Sequence, residues 1–240
     1  MGTVFSFDVR TSGVGLGPVI DWLHQVDRRF STFRSDSEIS RLGRGETSLA
    51  QCHPDVREVL EIGHRAVDDG GGAFTMFPQG TLDPSAVVKG WSVERASRML
   101  TAAGSKSHLI NGGGDVQTFG RRPDGTPWRV AIVDPRKRDR ILAVVAGENI
   151  AVATSGTAER GSHVIDGRSG QPATGLLSVT VSGFGGLTSV DIAATTAMAL
   201  GDGAREWLAA RSEVAALVVP GDGARWRTNN WSDFGVATGE

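Results

Sequence analysis

Asp191 and Thr195 are the two side chains of this sequence whose types and spacing best suit a metal ion. They lie four residues apart near the start of the alanine-rich segment 189–200, and a helix there would place both side chains on one face. Carboxylate and hydroxyl oxygens suit Mg²⁺, which takes few protein ligands and keeps waters or phosphate oxygens. The alternative is that Asp191 only caps the amino terminus of that helix.

Three segments that contain glycine could bind phosphate. In segment 82–90, Lys89 either supplies a positive point charge at a loop–helix junction or is an ordinary solvated lysine. In segment 111–115, Asn-Gly-Gly-Gly-Asp, a strand that runs into glycines either presents its amides as an anion nest or turns in a tight hairpin. In segment 154–156, Thr-Ser-Gly, small hydroxyl residues beside a glycine could close on a pyrophosphate.

His163 is the histidine that lies near one of these segments, and it has either a catalytic or a structural role. Neither a Gly-Lys-Ser/Thr motif nor a Gly-x-Gly-x-x-Gly motif opening a helix is present, which excludes the Walker and Rossmann patterns. Ser155 has no Gly-x-Ser-x-Gly elbow, which argues against a hydrolase of that type. The residues together predict a site for a metal and a charged, phosphate-bearing ligand.

Composition excludes several other classes of protein. The formal net charge of −2 gives no field that would gather nucleic acid, and no run of about 18 apolar residues predicts a membrane span. Cys52 is the only cysteine, so no internal disulfide and no cysteine-rich metal site can form, and the absence of tyrosine excludes a phenolic acid–base group. Residues 1–10 lack a signal-peptide pattern, which predicts a cytoplasmic protein; a trimmed amino terminus would instead allow an exported or envelope-associated one.

Hydrophobic periodicity places these residues on helices and strands. Segment 4–9 alternates as a half-buried strand, whereas segment 19–30 carries its apolar residues at helical spacing. Further strands are predicted at 107–110, 128–133, 142–145, 150–153, 179–181 and 214–219, with a charged loop at 135–140. Helices and strands mix without a regular βαβ rhythm, so we predict one α+β (mixed α/β) domain, residues 1–240, with its ligand loops gathered at one edge.

An ordered series of short motifs resembles the ApbE family of FAD:protein FMN transferases. The series comprises Met1-Gly2-Thr3, Phe30-Ser31-Thr32-Phe33 with Ser37-Glu38-Ile39, Lys89-Gly90, Asn111 to Asp115, Trp128, Thr154-Ser155-Gly156, His163 to Asp166 with Gly170 and Pro172, and Asp191 with Thr195. The resemblance runs from Met1 to about Gly201. It implies a single ApbE-like domain related to the T-fold.

The resemblance also implies a reaction. FAD binds as the substrate with Mg²⁺ on its pyrophosphate, a Thr or Ser hydroxyl of an acceptor protein attacks the phosphorus on the FMN side, and AMP leaves. Such a displacement gains from neutralised phosphate charge and in-line positioning. The acceptor would carry a flavinylation-type Thr/Ser motif, and a membrane redox subunit is one candidate. Two alternatives are an FAD pyrophosphatase that gives FMN and AMP, and a non-catalytic FAD-binding or carrier protein.

The same resemblance assigns individual residues. Mg²⁺ would take the Asp191 carboxylate, the Thr195 hydroxyl and the backbone carbonyl of Ala86, and the catalytic residues would be His163, as proton acceptor, and Asp191. The residues implied to contact FAD are Met1, Ala73, Phe74, Thr75, Asp83, Lys89, Asn111, Gly113, Asp115, Thr154, Ser155, Gly156 and His163. The sequence departs from the family pattern Gly-x-Phe-Asp, because Thr75 follows Phe74.

Overall fold

The computed structural model describes residues 2–157, 161, 163–234 and 236–237. The helices of this part of the chain are α1 (Gly17–Phe30), α2 (Glu38–Gly43), α3 (Pro54–Asp69), α4 (Ser85–Ala102), α5 (Leu187–Leu200) and α6 (Ala204–Ala209). Its strands are β1 (Phe5–Val9), β2 (His108–Gly112), β3 (Asp115–Phe119), β4 (Trp128–Asp134), β5 (Lys137–Gly147), β6 (Ala151–Gly156), β7 (Ile165–Asp166), β8 (Gln171–Pro172), β9 (Leu176–Gly183), β10 (Val214–Pro220), β11 (Trp226–Arg227) and β12 (Val236–Ala237).

The amino-terminal helices follow the sequence periodicity closely. The apolar stripe of α1 is buried as predicted, and Pro18 lies in the first turn of the helix, where its missing amide costs no hydrogen bond. The Ser37 side chain accepts a hydrogen bond from the amide of Ser40 and caps α2. α3 begins at Pro54, and Gly70 follows its last residue.

A seven-stranded sheet organises the domain, in the order β1-β2-β3-β6-β9-β10-β11. Every neighbouring pair in it is antiparallel, so the sheet needs no βαβ crossover between adjacent strands. The α+β prediction is therefore confirmed. Among the described residues, no helix is long and apolar enough to cross a membrane.

Two layers cover the opposite faces of this sheet. Helices α4 and α5 pack on one face, where Ala153 of β6 joins the same hydrophobic cluster as Val190 of α5. A second sheet, β12-β5-β4, packs on the other face, where Val152 of β6 joins Ile132 of β4. Successive side chains of β6 therefore point into different hydrophobic cores on the two faces of the sheet.

Two sequence predictions about loops are wrong. The charged segment 135–140 is the tip of a β4–β5 hairpin, because β5 begins at Lys137 and pairs through it with Asp134. Segment 154–156 ends β6 rather than following it, and Ser155 pairs with Val179 of β9. Charged and small polar residues interrupt the alternation of apolar and polar residues that predicts a strand. These residues have weak strand propensity, but hydrogen-bonded pairing with the neighbouring strand outweighs it. β3 was also not predicted.

His108 is a buried histidine that lies outside any predicted site. Its Nε2 lies 2.8 Å from Oγ of Ser97, and its Nδ1 lies 2.9 Å from Oγ of Ser105. The ring stacks on Phe119 with 5.3 Å between centroids and is fully buried. Burial lowers the pKa of His108 to about 4, because the charged imidazolium would lose its hydration.

We expect this histidine to make the protein acid-labile. In the unfolded chain the histidine binds a proton near pH 6.5, whereas in the folded protein it does so only near pH 4, so stability falls as pH drops through this window. The loss should approach roughly 3 kcal/mol in the free energy of unfolding, from about 1.4 kcal/mol per pKa unit. Urea unfolding between pH 7 and pH 4 measures it. His108→Gln should flatten the pH dependence and exposed His64→Gln should not; equal slopes in both variants would contradict the assignment.

Candidate functional site

A lysine and two aspartates from three different elements meet at one end of the sheet, and we call them the carboxylate–lysine cluster (Lys89, Asp115 and Asp191). Lys89 lies in the second turn of α4, Asp115 begins β3, and Asp191 lies in the second turn of α5. The Lys89 ammonium nitrogen is 2.5 Å from Oδ2 of Asp115 and 3.3 Å from Oδ1 of Asp191. Both carboxylates are buried, whereas a quarter of the Lys89 side chain is exposed, so Lys89 is the most accessible member of the cluster.

Burial and charge act against each other in this cluster. Burial would lower the pKa of Lys89, but the charges of Asp191 and Asp115 outweigh it and hold that pKa above the ordinary value. Burial raises the pKa of Asp191, the Lys89 charge lowers it, and the Asp115 charge raises it again, for a net rise. Lys89 is therefore a permanent cation, while Asp191 is a carboxylate whose ionised form depends on neighbouring positive charge.

Gly90 allows α4 and α5 to approach closely enough to form the cluster. Its amide donates a 2.9 Å hydrogen bond to Oδ2 of Asp191. A Cβ at this position would lie 2.7 Å from the carbonyl oxygen of Leu187 and 2.9 Å from Cβ of Asp191. Sequence reasoning placed Gly90 in a motif without giving it a role, although a glycine inside a helical pattern is a signal for close packing.

Hydroxyl groups surround the cluster at the end of β6. Oγ of Ser155 lies 3.1 Å from Oγ1 of Thr195, which links the sheet to α5. The amide of Thr154 donates to Oδ1 of Asp115 at 2.9 Å, and its hydroxyl lies 2.8 Å from that of Thr180. Direct contacts thus connect the predicted residues Lys89, Asp115, Asp191 and Thr154, and a separate contact joins Ser155 to Thr195.

The predicted metal ligands have the chemistry that Mg²⁺ requires. Asp191 and Thr195 supply hard oxygens one helical turn apart, and Asp191 does not cap α5, which begins at Leu187. The Gly90 amide, one turn after Ala86 in α4, donates to Oδ2 of Asp191. Among the described residues, no three His, Cys, Asp or Glu side chains gather into a metal-binding group.

The glycines at 112–114 form a tight hairpin, which was the alternative to an anion nest. Gly112 pairs with Asp115, and Gly113 and Gly114 turn with φ of +63° and +101°. The amide of Gly113 donates to the carbonyl of Val4, and that of Gly114 donates to Oδ1 of Asn111. Both amides are therefore engaged within the protein, and the nest interpretation is corrected.

Residues 73–75 do not present apolar side chains to a ligand. Ala73 and Phe74 are 0% and 1% exposed and pack in the hydrophobic cores. The hydroxyl of Thr75 accepts a hydrogen bond from the amide of Phe77, and the carbonyl of Ala73 accepts one from Gly167. The side chains of Ala73 and Phe74 pack in the cores, and the predicted contacts of Ala73, Phe74 and Thr75 with FAD stay a prediction.

The remaining predicted residues make local contacts that do not include the cluster. Asp83 accepts a hydrogen bond through Oδ1 from the Ser85 amide, which fixes the start of α4. Gly156 ends β6, where a Cβ would lie 2.9 Å from the carbonyl oxygen of Leu177. His163 is exposed, and its Nδ1 lies 3.0 Å from the carbonyl oxygen of Gly161. Met1 lies outside the described residues.

A separate cleft of about 410 Å³ opens between α3, α4, α5 and α6, away from the carboxylate–lysine cluster. Its apolar lining includes Ile62, Ala66, Trp91, Ile192 and Trp207. At its rim Arg95 forms a 3.5 Å ion pair with Glu58. Arg211 forms one with Asp69 at 2.6 Å. Because these rim charges neutralise each other, the cleft lacks the free charge that a phosphate ligand would need.

Comparisons with known proteins give a matching family and several relatives. The sequence model of the ApbE family matches residues 1–80 and 77–218. The FAD:protein FMN transferase of Rhodobacter capsulatus is 32% identical over 223 residues, which are 88% of this chain and 39% of that protein. That of Vibrio cholerae is 28% identical over 257 residues, 82% of this chain and 76% of that protein. The chain thus spans well under half of the first relative and three quarters of the second.

Solved structures show the same fold. The flavin transferase ApbE from Vibrio cholerae superposes with a TM-score of 0.85 at 22% identity, over 98% of this chain and 96% of that chain. The apo form of the Pseudomonas stutzeri flavinyl transferase ApbE superposes with a TM-score of 0.80 at 25% identity, over 97% and 95%. The fold is therefore shared along almost the full length of the chain.

Proposed function

The chain belongs to the ApbE family, and on that premise we propose that it transfers the FMN half of FAD to a Thr or Ser hydroxyl of an acceptor protein, with Mg²⁺ present and AMP released. The observation that carries the proposal is the carboxylate–lysine cluster, a charged and mostly buried group beside two hydroxyls at one sheet end. Its partly exposed ammonium suits a pyrophosphate, and its hard oxygens suit the cation that accompanies one.

Lys89 would neutralise phosphate charge. Asp115 holds the Lys89 ammonium and the Thr154 amide at once, which fixes the lysine beside the end of β6. A permanently charged ammonium stabilises the extra negative charge that develops on phosphate oxygens in the transition state. The hydroxyls of Ser155 and Thr195 lie 3.1 Å from each other, and we propose that they donate hydrogen bonds to the same oxygens.

Asp191, Thr195 and the carbonyl of Ala86 would hold Mg²⁺. When bound, the ion would neutralise pyrophosphate charge and help to orient the two phosphates. Lys89 competes for the same carboxylate, since its ammonium lies 3.3 Å from Oδ1 of Asp191. The lysine would therefore turn from Asp191 towards the phosphate when the cation binds.

The transfer itself needs one bond formed and one broken. The acceptor hydroxyl oxygen bonds to the phosphorus on the FMN side, and the bond from that phosphorus to the bridging oxygen breaks, so that AMP leaves with this oxygen. The hydroxyl proton passes to a base, for which we propose His163. The imidazole is exposed and its Nδ1 lies near the Gly161 carbonyl, which leaves Nε2 to accept a proton.

Covalent flavin fluorescence tests the proposal directly. The protein is incubated with FAD, Mg²⁺ and a peptide that carries one exposed threonine after Asp-Gly-Ala or Ser-Gly-Ala, and the products are separated on a denaturing gel. We expect a fluorescent peptide and one AMP per flavin attached. AMP and FMN without labelled peptide would show a pyrophosphatase, and FAD retained without either product would show a carrier.

A further inference from the structure

The tip of the β4–β5 hairpin carries a concentrated positive charge, and we call residues 135–140 the basic hairpin. Within it Arg136, Lys137, Arg138 and Arg140 are cationic, and Asp139 is the one carboxylate. All five side chains are exposed. The whole chain has a formal net charge of −2, so this positive segment differs in sign from the protein as a whole.

Two of these cations are free of ion-pair partners among the described residues: Lys137 and Arg140. Next to them an apolar pair is exposed, because Val133 and Ile141 face each other across the hairpin at 49% and 51% exposure. Unpaired cations beside an exposed aliphatic pair suit a protein partner that offers carboxylates and some apolar surface.

The basic hairpin lies at the same end of the sheet as the carboxylate–lysine cluster. Gly156 pairs with Ser178 of β9, and Ser178 pairs with Val219 of β10. Two strand spacings of about 4.8 Å therefore separate the end of β6 from the end of β10 by roughly 10 Å. Arg136 reaches this end directly, since its guanidinium donates to the carbonyl of Pro220 at 2.7 Å.

From this juxtaposition we propose that the basic hairpin docks an acidic segment of the acceptor protein and thereby guides its hydroxyl to the transfer site. The inference rests on the proposed function, since it names the partner of that same site. About three extended residues of the acceptor can span the roughly 10 Å between the end of β10 and the end of β6.

The acceptor is a better occupant than FAD itself. The hairpin belongs to the β12-β5-β4 layer, whereas Lys89 and Asp191 come from the helices on the opposite face of the large sheet. The phosphates of FAD would be neutralised on that helical side. The positive charges of the hairpin are therefore available to a partner that approaches the sheet end from solvent. The neighbouring turn offsets only one of them, through Asp222, which follows Pro220 by two residues.

Two acceptor peptides and two matched double variants test the docking surface. Both peptides carry the same threonine segment, but one continues into four glutamates and the other into four glutamines. The hairpin variant is Lys137→Glu with Arg140→Glu. The control is Arg28→Glu with Lys106→Glu, two exposed cations that change the net charge equally. Lys106 precedes β2 and lies at the other end of the sheet.

We expect the wild-type protein to prefer the acidic peptide, with a lower KM. The hairpin variant should raise that KM by about tenfold, while kcat, the KM for FAD and the KM for the glutamine peptide stay unchanged. Anisotropy of the fluorescein-labelled acidic peptide reads binding without turnover, and the hairpin variant should lose affinity by the same factor. The control variant should match the wild type in both measurements.

Several results would overturn the docking surface. They are equal KM values in the hairpin and control variants, a raised KM for FAD in the hairpin variant, and no binding of the labelled acidic peptide. Hairpin-dependent binding to phosphatidylglycerol vesicles with an unchanged peptide KM would assign the surface to lipid instead. Flavin on neither peptide with the wild-type protein counts against the proposed function, and the anisotropy measurement still decides the docking surface separately.

Discussion

Asp191→Ala is expected to abolish Mg²⁺-dependent flavin transfer, with kcat falling by about a thousandfold or more. The substitution removes the only carboxylate among the proposed metal ligands. It also removes the partner of the Gly90 amide and one of the two partners of the Lys89 ammonium. A phosphate substrate would then meet a lysine held by Asp115 alone, without the group that keeps a cation beside it.

The measurement is the rate of peptide flavinylation as a function of Mg²⁺ concentration. Asp202→Ala supplies a matched control, because this carboxylate is exposed just beyond the end of α5. Asp191→Asn keeps the side-chain volume and separates charge from packing, and it too should be inactive. Circular dichroism checks that each variant is folded. Full activity in a folded Asp191→Ala protein would refute the metal assignment.

Gly90→Ala is expected to lower the free energy of unfolding by about 3 kcal/mol and to remove activity at the same time. The new Cβ would collide with the Leu187 carbonyl oxygen and with Asp191, both of which belong to α5. Backbone atoms cannot move aside as a flexible side chain can, so the two helices must separate. For a domain of this size the loss corresponds to a fall in Tm of roughly 6–12 °C.

A second helical glycine serves as the control for that substitution. Gly17 opens α1, and a Cβ added there meets nothing within 4 Å. Gly17→Ala should therefore leave activity unchanged and alter stability by less than about 1 kcal/mol, in the stabilising direction. Thermal unfolding and flavinylation of both variants give the comparison. A Gly90→Ala protein as stable and active as Gly17→Ala would show that helix spacing does not determine the site.

Sequence periodicity was sufficient for α1 because this helix buries one face. The stripe of α1 follows from the local pattern alone. β3 and the tip at 135–140 could not be found in this way. Their strand conformation depends on pairing with a neighbouring strand: Val116 pairs with Asn111, and Lys137 pairs with Asp134. The residue pattern within one strand does not show this pairing.

The site was predictable in its residue types and not in its contacts. Asp191 with Thr195 stood out by chemistry and spacing, whereas the segment of Lys89 left it either a phosphate-binding charge or a solvated lysine. The ion pair between Lys89 and Asp115 joins residues from different elements, so it follows only from the assembled fold. Phe74 shows the reverse case, since an aromatic residue in a motif looks like a ligand contact until its burial is known.

The pairing of β1 with β2 has a consequence for biosynthesis. Phe5 lies opposite Gly112 and Val9 opposite His108, so about a hundred residues of nascent chain must leave the ribosome before the first strand finds its partner. Asp191 emerges later still and completes the cluster with Lys89. During translation the chain therefore carries an unpaired, partly apolar strand for many seconds, at typical elongation rates of roughly 5–20 residues per second, which makes the growing polypeptide a natural client for chaperones.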